Sequence, residues 1–178
     1  IINLIIYNSN MDRRIIKNEL LKIKGFFIEK KIIKNQILEI LNIKNNDNFN
    51  EIRDKALNGE KEKVNKLLSE TEILKEEVFF HLNNLNNRVM RLHEIIEKSN
   101  INKENYEQTV ENLKPVVFWQ DKPIIYKQLK KWDLRELEKI IVKIANTEKL
   151  MKKNSYIRND VVIKDLLINL TNKASTFF

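Results

Sequence analysis

Cysteine is absent from the 178 residues of this chain, and glycine and proline occur only twice each. Without cysteine the chain forms neither disulfides nor thiolate metal sites. A β-rich fold needs many tight turns, which are built mainly from glycine, Asn-Gly pairs and proline. Because glycine and proline are so scarce, the composition predicts an all-α fold.

Histidine is equally rare, since His81 and His93 are the only two. They lie on one predicted helix, about 120° from each other around its axis, and so do not converge on a metal ion. The sequence also lacks a glycine-rich phosphate loop and a nucleophile beside a base. We therefore predict a non-catalytic chain with no catalytic residues, no metal site and no cofactor.

Long hydrophobic runs are missing as well. The apolar start, Ile1–Ile6, is far shorter than the ~20 residues of a membrane span, and it lacks the basic flank and cleavage site of a signal peptide. We therefore expect no membrane partner. The first residue is isoleucine rather than methionine, so we also expect further sequence upstream.

Positive charge is present in excess, with 33 Lys and Arg against 25 Asp and Glu and a net charge of +8. Residues 1–113 contain 19 basic and 18 acidic side chains, whereas residues 114–178 contain 14 and 7. This asymmetry indicates a polyanionic partner such as nucleic acid. The alternative is a solvated basic face in a chain whose many Ile, Lys and Asn residues reflect an AT-rich genome.

Apolar side chains recur with the period of a helix along most of the chain. The predicted helices cover residues 10–27, 31–43, 73–98, 103–113, 122–131, 134–153 and 159–173, and residues 49–70 form a helical hairpin that turns at Asn58 and Gly59. The Asn-rich stretch of residues 42–50 is predicted to be a polar break. We therefore expect a first domain over residues 1–46 and a second over residues 47–178.

The segment PVVFWQDKPIIYKQLKKWD, residues 115–133, contains both prolines and both tryptophans among four lysines. Trp132 precedes Asp133, the predicted cap of the next helix, and is predicted to be a core residue. Trp119 lies in a predicted loop between the prolines, shortly before Lys122. A ring placed among cations on a loop can stack on a nucleic-acid base while the cations bind phosphates. The alternative is a ring that packs into the core.

Tyr156 shows the same pattern in a second predicted loop, together with Lys152, Lys153 and Arg158. The same two interpretations apply to this ring, which either stacks on a base or packs into the core. The candidate nucleic-acid contacts are therefore Trp119, Tyr156, Lys122, Lys152, Lys153 and Arg158.

Glu148 interrupts an apolar stripe on the helix that follows Asp133. The stripe comprises Leu134, Leu137, Ile141, Ile144 and Met151. A carboxylate at such a position must be paired or hydrogen-bonded. We predict that Glu148 is a buried structural residue bonded to Lys127, Lys130 or Lys152; the alternative is a direct functional contact.

The order of these features resembles one known family. Residues 113–154, LKPVVFWQDKPIIYKQLKKWDLRELEKIIVKIANTEKLMKKN, resemble the C-terminal domain of the delta subunit of the bacterial DNA polymerase III clamp loader. The matching residues are Pro115, Phe118, Trp119, Trp132, Asp133, Leu134, Glu148, Met151 and Lys152, with Met in place of the usual Leu. Upstream, residues 11–23 and 49–70 are similar to the family's DRR…NELEKL helix and its helical hairpin.

The resemblance implies an AAA+ lid domain, of which residues 1–46 would be a part, followed by a helical-bundle collar domain over residues 47–178. It implies a non-catalytic subunit of the DNA polymerase III holoenzyme, a DNA-directed DNA polymerase, which acts in DNA replication at the cytoplasmic replisome. The implied partners are the gamma/tau and delta prime subunits, primer–template DNA and, through an N-terminal domain outside this sequence, the sliding clamp.

The resemblance also implies a position for the two candidate rings. Trp119 and Tyr156 would lie near the end of the primer–template duplex, where the template strand and the primer end part. Arg13 and Arg14 lie where an ATPase relative carries a nucleotide-sensing arginine, and their role stays open.

An unrelated helical adaptor, whose basic C-terminal half binds an acidic protein, is the alternative. Salt dependence distinguishes the two functions, because DNA binding weakens steeply with salt as counterions are released. The adaptor should show no affinity for primed DNA.

Overall fold

The computed structural model describes residues 5, 9, 13–27, 36–37, 43–154 and 156–176, with only the backbone of residues 43–47. This described part of the chain is all-α and contains no β-strand, which confirms the predicted fold class. The chain divides into two compact units, Ile1–Phe49 and Asn50–Phe178.

The helices follow the predicted order with small shifts at their ends. They are α1 (Arg13–Phe26), α2 (Ile43–Leu57), α3 (Lys61–Glu70), α4 (Val78–Asn102), α5 (Tyr106–Asn112), α6 (Lys122–Leu129), α7 (Leu134–Lys153) and α8 (Asn159–Ala174). A short 3-10 helix, Lys75–Glu77, precedes α4. Most of the helix predicted over residues 31–43 lies outside the described residues. Within that range residues 36, 37 and 43 are described, and all three are helical. Within the described ranges, no helix is long and apolar enough to cross a membrane.

The Asn-rich stretch is helical and so is not the polar break that its composition predicts, although the chain does divide into its two compact units within this stretch. Residues 43–50 are helical and belong to α2, and the division between the two units falls between Phe49 and Asn50, within that helix. Asparagine costs a helix only a few tenths of a kcal/mol more than common helix formers. Since the stretch contains neither glycine nor proline, nothing in it ends the helix.

The first unit has a small apolar core on the inner side of α1. Ile23 and Phe27, near the end of this helix, are buried together with Ile5 and Ile37, and Ile16 packs against them in a partly buried position. Arg13 and Arg14 lie in the first turn of α1, and both side chains are exposed.

The second unit begins with a helical hairpin formed by the C-terminal half of α2 and by α3. Gly59 turns the chain between them with a φ of +71°. A Cβ atom at this position would lie 2.7 Å from the main-chain nitrogen of Ser175. Glycine is therefore required by its backbone angle and by the close approach of the chain after α8.

Helix α4 is the centre of the second unit, and α5, α6, α7 and α8 all pack against it. Its buried side chains are Val78, His81, Leu82, Asn84, Leu85, Arg88, Val89, Leu92, Ile95, Ile96 and Ser99. Burial alone lowers the pKa of His81 to about 4, so this imidazole is neutral at pH 7.

Helix α7 runs antiparallel to α4. His93 Nε2 lies 3.7 Å from Glu138 near the start of α7, and Lys152 Nζ lies 5.8 Å from the ring centre of Phe79 near its end. The side chain of Asp133 accepts a hydrogen bond from the main-chain nitrogen of Glu136 at 2.8 Å and caps α7, as predicted.

The side chain of Glu136 does not bond back to the main-chain nitrogen of Asp133, as it would in a capping box. Its carboxylate pairs instead with Lys139, at 2.6 Å, and with Lys173 of α8. Hydrogen bonds from these two lysines lower the pKa of Glu136 to about 2. The pair with Lys173 therefore links the first turn of α7 to the last turn of α8.

Candidate nucleic-acid interface

The segment between α5 and α6 alternates between buried and exposed side chains. Leu113 and Val117 point into the core, whereas Val116 and Trp119 are exposed and Phe118 is half-buried. Trp119 retains 69% of its accessible surface. Its ring centre lies 6.0 Å from that of Phe118, with the two planes tilted by 45°. The segment therefore presents the indole of Trp119 to solvent, with one neighbouring ring beside it.

Two arginines of α4 hold this segment in place. Arg88 Nη2 donates to Asp121 Oδ1 at 3.0 Å, and Arg91 Nη2 donates to the carbonyl oxygen of Pro115. Both ends of the stretch that carries Trp119 are thus tied to the central helix. Charge-assisted bonds of this kind are stronger than bonds between neutral groups.

The Arg88–Asp121 pair belongs to a larger buried network. Asp54 of α2 accepts hydrogen bonds from Arg53, at 3.0 and 2.8 Å, and from Gln128 of α6, at 3.2 Å. Arg88 Nε also lies 3.5 Å from Asp54 Oδ1. The network contains two arginines and two aspartates, so the buried charges balance.

The electrostatic balance at Asp54 favours its charged form. Burial by itself raises the pKa of this carboxyl, but the charges of Arg53 and Arg88 and the hydrogen bonds from Arg53 and Gln128 outweigh burial. The pKa of Asp54 therefore lies below its ordinary value of 3.8. Asp54 is ionised at neutral pH and holds both arginines in fixed positions.

Two asparagines extend the network on the other side of Arg53. Asn50 Oδ1 accepts from Arg53 Nη1 at 2.9 Å and from Asn84 Nδ2 at 2.8 Å, and Arg53 Nη1 also donates to Asn84. This network was not predicted from the sequence. Asn84 and Arg88 lie about 120° and 80° from the centre of the apolar stripe of α4, so its period does not mark them as buried, although both are.

Trp132 is a core residue. Only 3% of its surface is exposed, and its indole nitrogen donates to the carbonyl oxygen of Leu57 at 2.9 Å. This placement agrees with the prediction from the sequence. The two tryptophans of the segment thus have opposite environments, one buried and hydrogen-bonded and the other open to solvent.

Tyr156 lies between α7 and α8 and retains 84% of its accessible surface. Its hydroxyl lies within 3.3 Å of Asn154 Oδ1 and donates to it. Lys153, at the end of α7, is also exposed. Arg158 precedes α8 and forms an ion pair with Asp160 at 2.6 Å. This loop therefore carries a solvent-exposed aromatic ring with basic side chains before and after it in the sequence.

Besides Arg158, two more of the four predicted cations form ion pairs within the protein. Lys122 lies 3.8 Å from Glu111, and Lys152 lies 2.5 Å from Glu148. Lys152 also lies over the ring of Phe79. These are solvent-exposed pairs, which contribute little to stability and exchange readily for another anion.

The prediction that Glu148 is largely buried is wrong. Its side chain keeps 45% of its accessible surface, although it does pair with Lys152, one of the three expected lysines. The buried face of α7 is formed by Leu137, Ile140, Ile144 and Met151. At 100° per residue, Glu148 lies about 50° from the centre of that face, at its edge. A spacing of 3.5 residues drifts off the true face of a helix, which repeats every 3.6 residues.

No protein-family model matches this chain. Comparison with curated proteins and with solved structures finds no match either.

The two exposed rings do not form one patch. Asp121, shortly after Trp119, is hydrogen-bonded to Arg88 of α4. Lys152, near the end of α7 and shortly before Tyr156, contacts the ring of Phe79 instead. Phe79 and Arg88 are about 180° apart around α4 and about 13 Å apart along it. Trp119 and Tyr156 thus lie on different sides of the central helix. The sequence-predicted cations divide in the same way, with Lys122 on the first side and Lys152, Lys153 and Arg158 on the second.

Proposed function

We propose that this chain is the lid and collar part of a delta-type subunit of a bacterial replicative clamp loader. In this role it performs no catalysis, assembles with the gamma/tau and delta prime subunits, and contacts primer–template DNA. The proposal is supported by the ordered resemblance of residues 113–154 and by the all-α fold of the described residues.

The observation that carries the DNA contact is the exposure of Trp119 on an anchored segment. The indole is 69% exposed, so a base that stacks on it would bury a large apolar surface, which is favourable. Since Arg88 and Arg91 fix the segment, little conformational freedom is lost when a ring stacks on Trp119.

Stacking on a base requires no particular base identity, since every base has an aromatic face. This property suits a protein that acts at any primer end. Tyr156 offers a second exposed ring, flanked by Lys153 and Arg158. Because the two rings lie on different sides of α4, we assign them to different strands of the junction rather than to one base.

The test is DNA binding by the complete loader containing Trp119→Ala. A fluorescent base analogue at the end of the primed duplex reports stacking, and anisotropy reports affinity. Size-exclusion chromatography of the same loader reports assembly. We expect assembly to be retained while affinity and the stacking signal decrease. A variant loader that binds primed DNA with unchanged affinity and signal contradicts the proposal.

A further inference from the structure

The outer face of α7 is a continuous basic surface. It carries the exposed side chains of Arg135, Lys139, Lys143, Lys149 and Lys153. At 100° per residue these five cations fall within about 120° of one another around the helix, and they extend over about 27 Å along it. We call this surface the α7 basic face.

No acidic side chain lies within the α7 basic face. The nearest carboxylates on the helix, Glu136 and Glu138, lie at its two edges. Glu136 is occupied by Lys139 and by Lys173, and Glu138 faces His93. Apart from Lys139, the cations of this face have no ion-pair partner among the residues that the structure describes.

The opposite side of α7 fixes the position of these cations. Its buried face packs against α4 and α8, and its first turn is capped by Asp133. The backbone beneath the α7 basic face is therefore rigid, while the lysine side chains remain free to adapt. A row of cations on a straight, fixed support is an arrangement that can follow an extended polyanion.

Two exposed apolar side chains lie among these cations. Val142 and Leu150 retain 59% and 45% of their accessible surface. A duplex presents phosphates to such a surface but keeps the apolar faces of its bases inside the stack. A single strand presents both phosphates and base faces. The combination of cations and apolar side chains therefore favours a single strand.

We infer that the α7 basic face binds the phosphate backbone of single-stranded nucleic acid. The cations bind successive phosphates, and Val142 and Leu150 contact bases without reading their identity. This site is distinct from the stacking contact proposed for Trp119, and it shares only Lys153 with the candidate residues named from the sequence. It extends the proposed function by assigning a binding surface to the unpaired strand. Its support is the charge and exposure of the α7 side chains, which do not depend on the Trp119 contact.

The test uses the 178-residue chain and an oligothymidylate of roughly 20 nucleotides, which covers more than one typical binding site. The variant is Lys143→Gln/Lys149→Gln, since glutamine removes the charge and favours a helix almost as well as lysine. The matched control is Lys61→Gln/Lys75→Gln, which removes two exposed lysines of the same unit that likewise have no ion-pair partner in the described ranges. Circular dichroism confirms that both variants are folded.

Affinity is measured by fluorescence anisotropy at several salt concentrations. Each phosphate contact to a single strand contributes about 0.7 to the slope of log affinity against log salt. We expect the α7 variant to lose about 1.4 of this slope and to bind more weakly, whereas the control keeps the slope of the unmodified chain. Val142→Ser/Leu150→Ser should weaken binding with no change of slope.

Three results would overturn the inference. The first is an α7 variant that matches the control. The second is tighter binding to duplex than to single strand, and the third is displacement of the oligonucleotide by polyglutamate of equal charge, which would indicate an acidic protein partner. None of these results bears on Trp119, so failure here is distinguishable from failure of the proposed function.

Discussion

The indole nitrogen of Trp132 donates a hydrogen bond to the carbonyl oxygen of Leu57, and the two atoms are 2.9 Å apart. Leu57 is the last residue of α2, and the final carbonyls of a helix have no partner within it. Trp132 therefore fills the core and also completes the hydrogen bonding of a helix that lies far away in the sequence.

Trp132→Ala should destabilise the second unit by about 3–5 kcal/mol, because it creates a large cavity in the core. Trp132→Phe should cost less, about 1–3 kcal/mol, since the ring volume is largely kept but the carbonyl of Leu57 loses its donor. Urea unfolding followed by circular dichroism measures both changes. A Trp132→Ala variant within 1 kcal/mol of the unmodified protein would show that the contact is not structural.

Trp119→Ala should leave the unfolding free energy within about 0.5 kcal/mol of the unmodified protein, because the side chain is exposed. In the complete loader it should weaken binding to primed DNA by roughly 5- to 150-fold, as expected from 1–3 kcal/mol of stacking. Equilibrium titration with primed DNA measures the effect. If stability falls and DNA binding does not, Trp119 is a packing residue.

Gly59→Ala should destabilise the second unit by roughly 1–3 kcal/mol, because alanine is strained at a positive φ. The added Cβ would also meet the main chain at Ser175 and Ala174. Gly25→Ala is the matched control, since Gly25 is helical and nothing lies within 4 Å of a Cβ there. It should be neutral or stabilise α1 by up to about 1 kcal/mol. Thermal unfolding of both variants distinguishes a required glycine from a replaceable one.

Stability should fall in acid because of Asp54. The pKa of this carboxyl is below 3.8 in the folded protein, whereas the unfolded chain has the ordinary value. Its contribution is therefore complete above about pH 4 and is lost as the pH falls further toward the folded pKa. The part of the urea midpoint that depends on Asp54 should therefore be constant between about pH 6 and pH 4 and decrease below about pH 4.

Asp54→Asn tests the origin of this pH dependence. The variant should be destabilised by about 3–5 kcal/mol at about pH 6, because Arg53 loses its buried counter-charge and Arg88 keeps only Asp121. It should also lose less stability between about pH 6 and pH 3 than the unmodified protein. Asp165→Asn, which changes an exposed aspartate of the same unit, serves as the control and should reproduce the unmodified pH profile. Equal acid sensitivity of the two variants would assign the effect to other carboxylates.

Much of the helical order was predictable from local patterns. Asp133 caps the start of α7 and Lys153 ends the helix, as the sequence predicts, because the cap and the apolar period both act within a few residues. Gly59 marks the turn of the hairpin for the same reason. The predicted domain boundary lies three residues before the division between the two units, but the expected interruption of the helix there was wrong, because side-chain polarity alone does not end a helix that has no glycine or proline.

The environments of the site residues were less predictable. The sequence pattern left both interpretations of Trp119 open. Its exposure depends on which side chains of this segment are buried in the tertiary structure, and local spacing does not show that. The Arg53–Asp54–Arg88–Asp121 network joins residues from three distant segments, and its pairing cannot be deduced from local spacing. Arginine and aspartate residues that pair only in the tertiary structure cannot be distinguished, in the sequence, from ordinary charged residues of the surface.

The hydrogen bond between Trp132 and Leu57 has a consequence for the chain while it is being synthesised. The two residues are 75 positions apart, and Asp54 and Gln128 are 74 apart. At 5–20 residues per second, a ribosome needs about 4–15 s to make this length of chain. During that interval the hairpin of α2 and α3 exists without the partners that cover its apolar face and balance its charges. Nascent chains that stop before Trp132 therefore expose a surface that the finished protein buries.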